Sequence, residues 1–227
     1  MRVLIVRIGA MGDVLHAMPA VAALREVRPD WEIGWAIEPK WRALLAAGKR
    51  SAARRGVQMP LVDEWFGVDT LKWKRRGVSA ATLSNVLGLR QQLRAGRFDL
   101  CVDMQGTIRS AVVGRMAGTR RFVGMAAPRE SAAWLFYSEQ VAVTATHVVE
   151  QGCELLGGAV GEILRPGKVV LPVDEAAERW CDGLGLKGPF VMIAPTAGWG
   201  AKEWPAKRYG AVAAALGEAG FEVLVNS

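Results

Sequence analysis

The chain has 227 residues, 51% of them apolar and 22% charged, a balance that excludes a mainly disordered polymer and leaves room for one large domain or two small ones. Lys plus Arg outnumber Asp plus Glu by 29 to 22, a net charge of +7 that favours anionic partners: nucleotide phosphates, nucleic acid or an anionic membrane face. Three widely spaced cysteines and only two histidines speak against a disulfide framework and exclude a His-rich metal site, so no metal ligand is assigned.

Val3 to Val6 is a continuous aliphatic run, the pattern of a strand buried on both faces of a parallel sheet. The run is too short for a signal peptide, and no stretch approaches the ~18 apolar residues of a membrane span. A cytoplasmic protein is expected, or one that lies on the cytoplasmic membrane face without crossing it. Ile8-Gly9-Ala10-Met11-Gly12-Asp13 then reads as a glycine-bearing turn, and Val14, Leu15, Met18, Val21 and Leu24 recur at helical spacing. Pro19 is expected in the first turn of the main helix, with a short helical turn before it, and Pro29-Asp30 ends that helix. Glu32 to Ile37 reads as the second strand, which completes the opening of a doubly wound sheet.

Lys40 to Arg76 holds ten Lys or Arg with Trp41, Trp65, Phe66 and Trp73 interleaved. It reads as loops around a short strand near Leu61 to Phe66. A solvated surface, a nucleic-acid platform and a docking face for an anionic amphiphile all fit its composition. A helix follows over Val78 to Ala95, with Leu83, Val86, Leu87 and Leu93 at helical spacing. Then come a buried strand Phe98 to Asp103, a helix Thr107 to Ala117, a strand Arg121 to Gly124 and a helix Thr146 to Leu156. The looser segment 166–188, with one short helix around Asp174 to Leu184, reads as a connection between an N-terminal domain 1–165 and the start of a second at 189–227. The second opens with a strand Phe190 to Ala194, a loop, a helix Ala206 to Ala219 and a strand Phe221 to Val225. A β-α-β unit ending on its second strand leaves an open edge, so the chain is expected to be the front part of a longer protein.

Ligands of open α/β sheets bind at the carboxyl ends of the strands. Asp13 stands there, either as a helix cap, the commoner role, or as a base that takes a proton from a substrate hydroxyl. His16, one turn on, is either a partly buried polar residue or a contact to substrate or Asp13. Asp103-Met104-Gln105-Gly106 ends another strand, with Arg109, Arg120, Arg121, Arg129 and Glu130 expected within reach of the same edge. In the second half, Lys202 between Trp199 and Trp204 is either a solvated lysine or a point charge for a diphosphate, to which Thr196 would add a hydroxyl. The glycines at 9 and 12 are too few for a dinucleotide fingerprint, which argues against a nicotinamide enzyme.

The opening twenty residues, Met1 to Ala20, resemble the start of the lipopolysaccharide heptosyltransferases. Phe98-Asp-Leu-Cys-Val-Asp-Met-Gln-Gly, Arg129-Glu130 with Phe136-Tyr137, His147-Val-Val-Glu150 and Lys202-Glu-Trp-Pro205 follow in family order. The Gly12-Asp13-Val14-Leu15-His16 form looks like type I more than type II. The resemblance implies a GT-B fold, two Rossmann-like doubly wound domains with the active site between them, the second incomplete in this chain. It implies inverting transfer of L-glycero-D-manno-heptose from ADP-heptose to Kdo of Kdo-lipid A, with no essential metal and no cofactor. Asp13 matches the family's general base and Lys202 its phosphate-binding lysine, with Thr196 beside it. Gly12, His16, Gln105, Arg120 and Arg129 are the acceptor-binding candidates. The basic, Trp-bearing segment would meet lipid A phosphates and the anionic inner-membrane surface. No nucleic acid partner is expected, since the basic residues form no recognised reading motif and Asp13 and Asp103 would repel phosphate.

Overall fold

Val3, Leu4, Ile5 and Val6 have no solvent exposure at all, so the strand they build requires cover on both faces. In the computed structural model, which describes residues 1–45, 60–70, 73, 79–196 and 200–226, that strand is β1 (Arg2–Val6). It sits inside a six-stranded, all-parallel sheet with β2 (Glu32–Ile37), β3 (Glu64–Gly67), β4 (Leu100–Asp103), β5 (Arg121–Met125) and β6 (Glu139–Val141), in the order β3-β2-β1-β4-β5-β6. The register sets Val6 opposite Ala36 on one side and Asp103 on the other.

Two helical layers cover the sheet. On one face α1 (Met11–Val27) and α4 (Val148–Val160) pack through Val14, Met18, Val21, Leu24, Leu155 and Leu156. On the other, α2 (Ala80–Ala95), α3 (Ile108–Met116) and a 3-10 segment Ser131–Phe136 pack through Leu89, Leu93, Ala111, Val113 and Ala133. Arg25, fully buried in the last turn of α1, donates to Asp63 at 2.7 Å and to the Trp31 carbonyl at 2.7 Å. Asp63 also accepts from Ile33 N–H at 2.8 Å, so one ion pair ties α1 to β2 and to the entry of β3.

Contact density divides the chain into Met1–Pro172 and Val173–Ser227. In the second unit α5 (Glu175–Asp182), capped by the Asp174 carboxylate, precedes β7 (Phe190–Ile193), a 3-10 turn Gly200–Lys202, α6 (Ala206–Glu218) and β8 (Glu222–Val225). β7 and β8 pair in parallel, with Phe190 opposite Glu222.

One expectation is corrected. Pro19 does not open a helix: α1 runs unbroken from Met11 and carries Pro19 in its interior. The missing N–H leaves the Leu15 carbonyl without its helical donor, while the Pro19 carbonyl accepts from Gly167 N–H at 2.9 Å. Of the leucines at helical spacing in α2, Leu83 and Leu87 do not face the core: they are 60% and 50% exposed, and Leu89 and Leu93 take the buried positions.

Candidate active site at the carboxyl edge of the first unit

The chain leaves β1 towards β2 and β3 on one side and returns to β4, β5 and β6 on the other. Between β1 and β4 the winding reverses, and a crevice opens at the carboxyl ends of such a pair. The loop after β1 and the loop after β4 form its two lips.

Gln105 joins the lips. Its Oε1 accepts from Ile8 N–H at 2.8 Å and from Gly9 N–H at 3.4 Å, so a β4 side chain fixes the backbone of the β1 loop. Asp103 below it is fully buried. Its Oδ1 accepts from the N–H groups of Gln105 (2.9 Å) and Gly106 (3.1 Å), and its Oδ2 from the hydroxyls of Ser110 and Tyr137, both at 2.9 Å. Burial pushes its carboxyl pKa up, against the hydrogen bonds that favour the ionised form. Burial, then the neighbouring Asp103 charge, pushes the Tyr137 phenol up as well. Asp103 is thus a buried keystone rather than a substrate contact. Gly106 turns the chain with φ +68°, and a Cβ there would stand 3.0 Å from the Arg129 backbone nitrogen.

Asp13 lies in the first turn of α1, where its Oδ2 accepts from Ala10 N–H at 3.3 Å. Ala10 has no side-chain oxygen to return a bond, so only half of a capping box is made. The other oxygen, Oδ1, pairs with Arg7 at 3.2 Å. Arg7 also donates to the Met104 carbonyl. Its pKa is lowered, by burial first, against the attraction of Asp13 and Asp103. Capping and an outward carboxylate therefore coexist in Asp13, whose side chain keeps 34% of its surface exposed.

A cavity of about 340 Å³ opens in front of this pair. Arg7, Asp13, His16, Gln105 and Arg129 supply its polar wall, and Met104, Met125 and Leu155 its apolar wall. The structure therefore gathers four expected site residues, Asp13, His16, Gln105 and Arg129, at one crevice. Gly12 is in the first turn of α1 but does not line the cavity. Arg120 is not brought there: it precedes β5, at the opposite, amino edge of the sheet. Arg121 stays at that edge too, where it pairs with Glu139 at 2.8 Å. Glu130 accepts from Ile108 N–H at 2.8 Å and serves the start of α3. Arg7 and Gln151, which also lines the cavity, escape a motif search. The signal for Arg7 is a charge placed directly after a fully buried strand.

In the second unit Thr196 is exposed three residues past β7. Lys202 closes the 3-10 turn by its backbone, and its side chain lies outside the described residues, as do Trp199 and most of the basic segment Lys40 to Arg76. Among the described residues no group of three or more His, Cys, Asp or Glu side chains is arranged to hold a metal, and no helix is long and apolar enough to cross a membrane.

The family model of glycosyltransferase family 9 (heptosyltransferase) matches residues 86–227. Lipopolysaccharide heptosyltransferase 1 of Salmonella typhimurium is 29% identical over 170 residues, 71% of this chain and 48% of that protein. Lipopolysaccharide heptosyltransferase 3 of Escherichia coli K12 is 23% identical over 220 residues, 95% of this chain and 60% of that protein. The solved structure of E. coli heptosyltransferase WaaC with ADP superposes with a TM-score of 0.75 at 25% identity, covering 99% of this chain and 67% of that one. The α/β fold is that of the GT-B heptosyltransferases. The chain spans about half the length of the curated heptosyltransferase 1 relatives it matches.

Proposed function

Because the chain belongs to glycosyltransferase family 9, the heptosyltransferases, we propose that it transfers L-glycero-D-manno-heptose from ADP-heptose to Kdo of Kdo-lipid A in lipopolysaccharide inner-core synthesis. The observation that carries this reading is the Asp13 carboxylate, held by Arg7 on the rim of the cavity between the β1 and β4 loops. The acceptor hydroxyl enters the crevice and gives its proton to Asp13 as its oxygen bonds to the anomeric carbon. The bond from that carbon to the diphosphate breaks on the opposite face, so the configuration inverts and ADP leaves with the electron pair. Lys202 and Thr196 hold the donor diphosphate, the lysine against the charge that develops on it. Arg129 and His16 meet the acidic acceptor, with Gln105 holding the loop that presents it. The ADP bound to the WaaC relative supports an adenine nucleotide as the donor's carrier. The lipid-linked acceptor places the enzyme on the cytoplasmic face of the inner membrane.

The test is transfer itself: the purified protein with ADP-heptose and Kdo-lipid A, followed by ADP release and the mass and anomeric configuration of the product. No ADP release above background sinks the reading. The type 3 relative favours a second version, the same chemistry on an already heptosylated core. Product formed on that acceptor and not on Kdo-lipid A would replace the first version by the second. Lys202→Ala is expected to raise the KM for donor; wild-type kinetics would remove its assigned role.

A further inference from the structure

Helix α2 exposes two of the leucines that its sequence sets at helical spacing. At 3.6 residues per turn, Leu83, Leu87, Arg90 and Arg94 fall within about 60° of one another around the helix. Leu89 and Leu93, which are 5% and 0% exposed, lie about 110° round the helix from that stripe. Helix α3 repeats the arrangement: Ile108 and Val112 are 42% and 38% exposed, and Arg115 continues their stripe one turn on. The adjoining 3-10 segment adds Trp134 and Leu135, 48% and 66% exposed. α2 packs on α3 and α3 on the 3-10 segment, so the three elements form one continuous outer surface.

The charge on this surface is predominantly positive. α2 and α3 carry Arg90, Arg94, Arg109 and Arg115 and no Asp or Glu. Glu130, the exposed acid beside them, accepts from Ile108 N–H and keeps its charge, one acid against four arginines. Both helices begin at the carboxyl edge of the sheet and run back to the amino edge. The aliphatic pairs and Trp134 therefore form a band near the edge that holds the cavity, with Arg90, Arg94 and Arg115 behind it. Apolar side chains with an indole, backed by arginines that outnumber the one acid beside them, match the headgroup zone of an anionic bilayer.

We propose that the outer face of α2, α3 and the Ser131–Phe136 segment is the surface by which this protein docks on an anionic lipid bilayer. The choice of a bilayer rests on the lipid-linked acceptor of the functional reading; the face itself rests on exposure and charge.

The experiment is co-sedimentation of the protein with phosphatidylcholine vesicles that contain or lack phosphatidylglycerol. Binding is expected only with phosphatidylglycerol, and it weakens as salt rises. Leu83→Asn/Leu87→Asn is expected to lower the partition coefficient roughly ten-fold, and Arg90→Gln/Arg94→Gln/Arg115→Gln more than ten-fold at low salt. Leu171→Asn, at an exposed leucine off this face, is expected to bind as wild type. Matching thermal melts check that the variants fold. Two results overturn the proposal: wild-type protein that ignores phosphatidylglycerol vesicles, or a leucine double variant that binds as well as wild type. A dimer in sedimentation velocity that the double variant dissolves also overturns it, by assigning the face to a second copy of the chain. Transfer to a water-soluble, deacylated Kdo acceptor reads the active site separately. Transfer without vesicle binding defeats the docking face alone, and vesicle binding without transfer supports the face while defeating the functional reading.

Discussion

The Arg7 guanidinium and the Asp13 carboxylate meet at 3.2 Å across the β1–α1 loop, one from the strand's end and one from the helix's first turn. Arg7 also holds the Met104 carbonyl and Asp13 also holds Ala10 N–H, so the pair is braced at both ends. A carboxylate fixed in this way needs little reorganisation to accept a proton, and its position couples directly to the end of β4.

As the proposed base, Asp13 is best tested by Asp13→Asn, which keeps an oxygen for Ala10 N–H but cannot take a proton. The expected outcome is a kcat lower by about 10²–10⁴ with ADP affinity unchanged, measured by steady-state kinetics and by calorimetric titration. A kcat within a few-fold of wild type would refute the assignment.

Gln105→Ala removes the acceptor for Ile8 and Gly9 N–H. A stability loss of about 1 kcal/mol is expected in urea unfolding, with a larger relative loss in kcat because the loop that leads into the first turn of α1, where Asp13 sits, loosens. Gln105→Glu keeps the acceptor oxygen and should recover most of the stability.

Gly106→Ala places a Cβ at a left-handed backbone position and 3.0 Å from the Arg129 nitrogen. The expected cost is about 1–2 kcal/mol. The KM for acceptor should rise more than kcat falls, since the shift falls on Arg129 and not on Asp13.

Asp103 makes stability depend on pH in a stated direction. Unfolded, its carboxyl ionises near the ordinary value of about 3.9. Folded, burial raises that pKa, so the native state holds the proton to higher pH. Across that window the native state binds more protons than the unfolded one, and stability is full below it and falls as pH rises through it. Asp103→Asn removes this titration while keeping an oxygen for the Gln105 and Gly106 N–H groups. The stability of the variant relative to wild type should therefore climb as pH goes from about 4 towards neutrality. Urea midpoints taken across that range would show it, and a flat difference would contradict the raised pKa.

The two faces of α2 predict opposite responses to truncation. Leu93→Ala empties a position with no exposure and should cost about 2–5 kcal/mol. Leu87→Ala, half exposed, should change the thermal midpoint little.

How much of this was legible beforehand depended on how little choice each segment had. β1 and β4 carry aliphatic runs that suit only a strand covered on both faces, so both are legible in the sequence. α2 has leucines at 83, 87, 89 and 93, which populate two sides of the helix. Periodicity alone cannot say which side meets the sheet; that is decided by Phe66, Phe98 and the neighbouring layer. Pro19 suits a helix start because its missing N–H is harmless there, whereas packing of α1 between β1 and α4 tolerates the lost bond in the interior. Among site residues, Asp13, His16, Gln105 and Arg129 follow from the rule that ligands bind at carboxyl strand ends. Arg120 shows the limit of that rule: a residue beside a strand must be assigned to its correct end, and Arg120 enters β5 rather than leaving it. A strand-end arginine has no spacing signature, so only the fold brings Arg7 to Asp13.

The strand pairing of the first unit also leaves its assembly free to follow synthesis. β2 joins β1, β3 joins β2, β4 returns to β1, and β5 and β6 follow outward, so every strand adds to a neighbour already synthesised. A nascent chain leaving the ribosome never has to wait for a later segment before it can extend the sheet. The seed of that growth, β1 with α1 and β2, is the piece that carries Arg7 and Asp13.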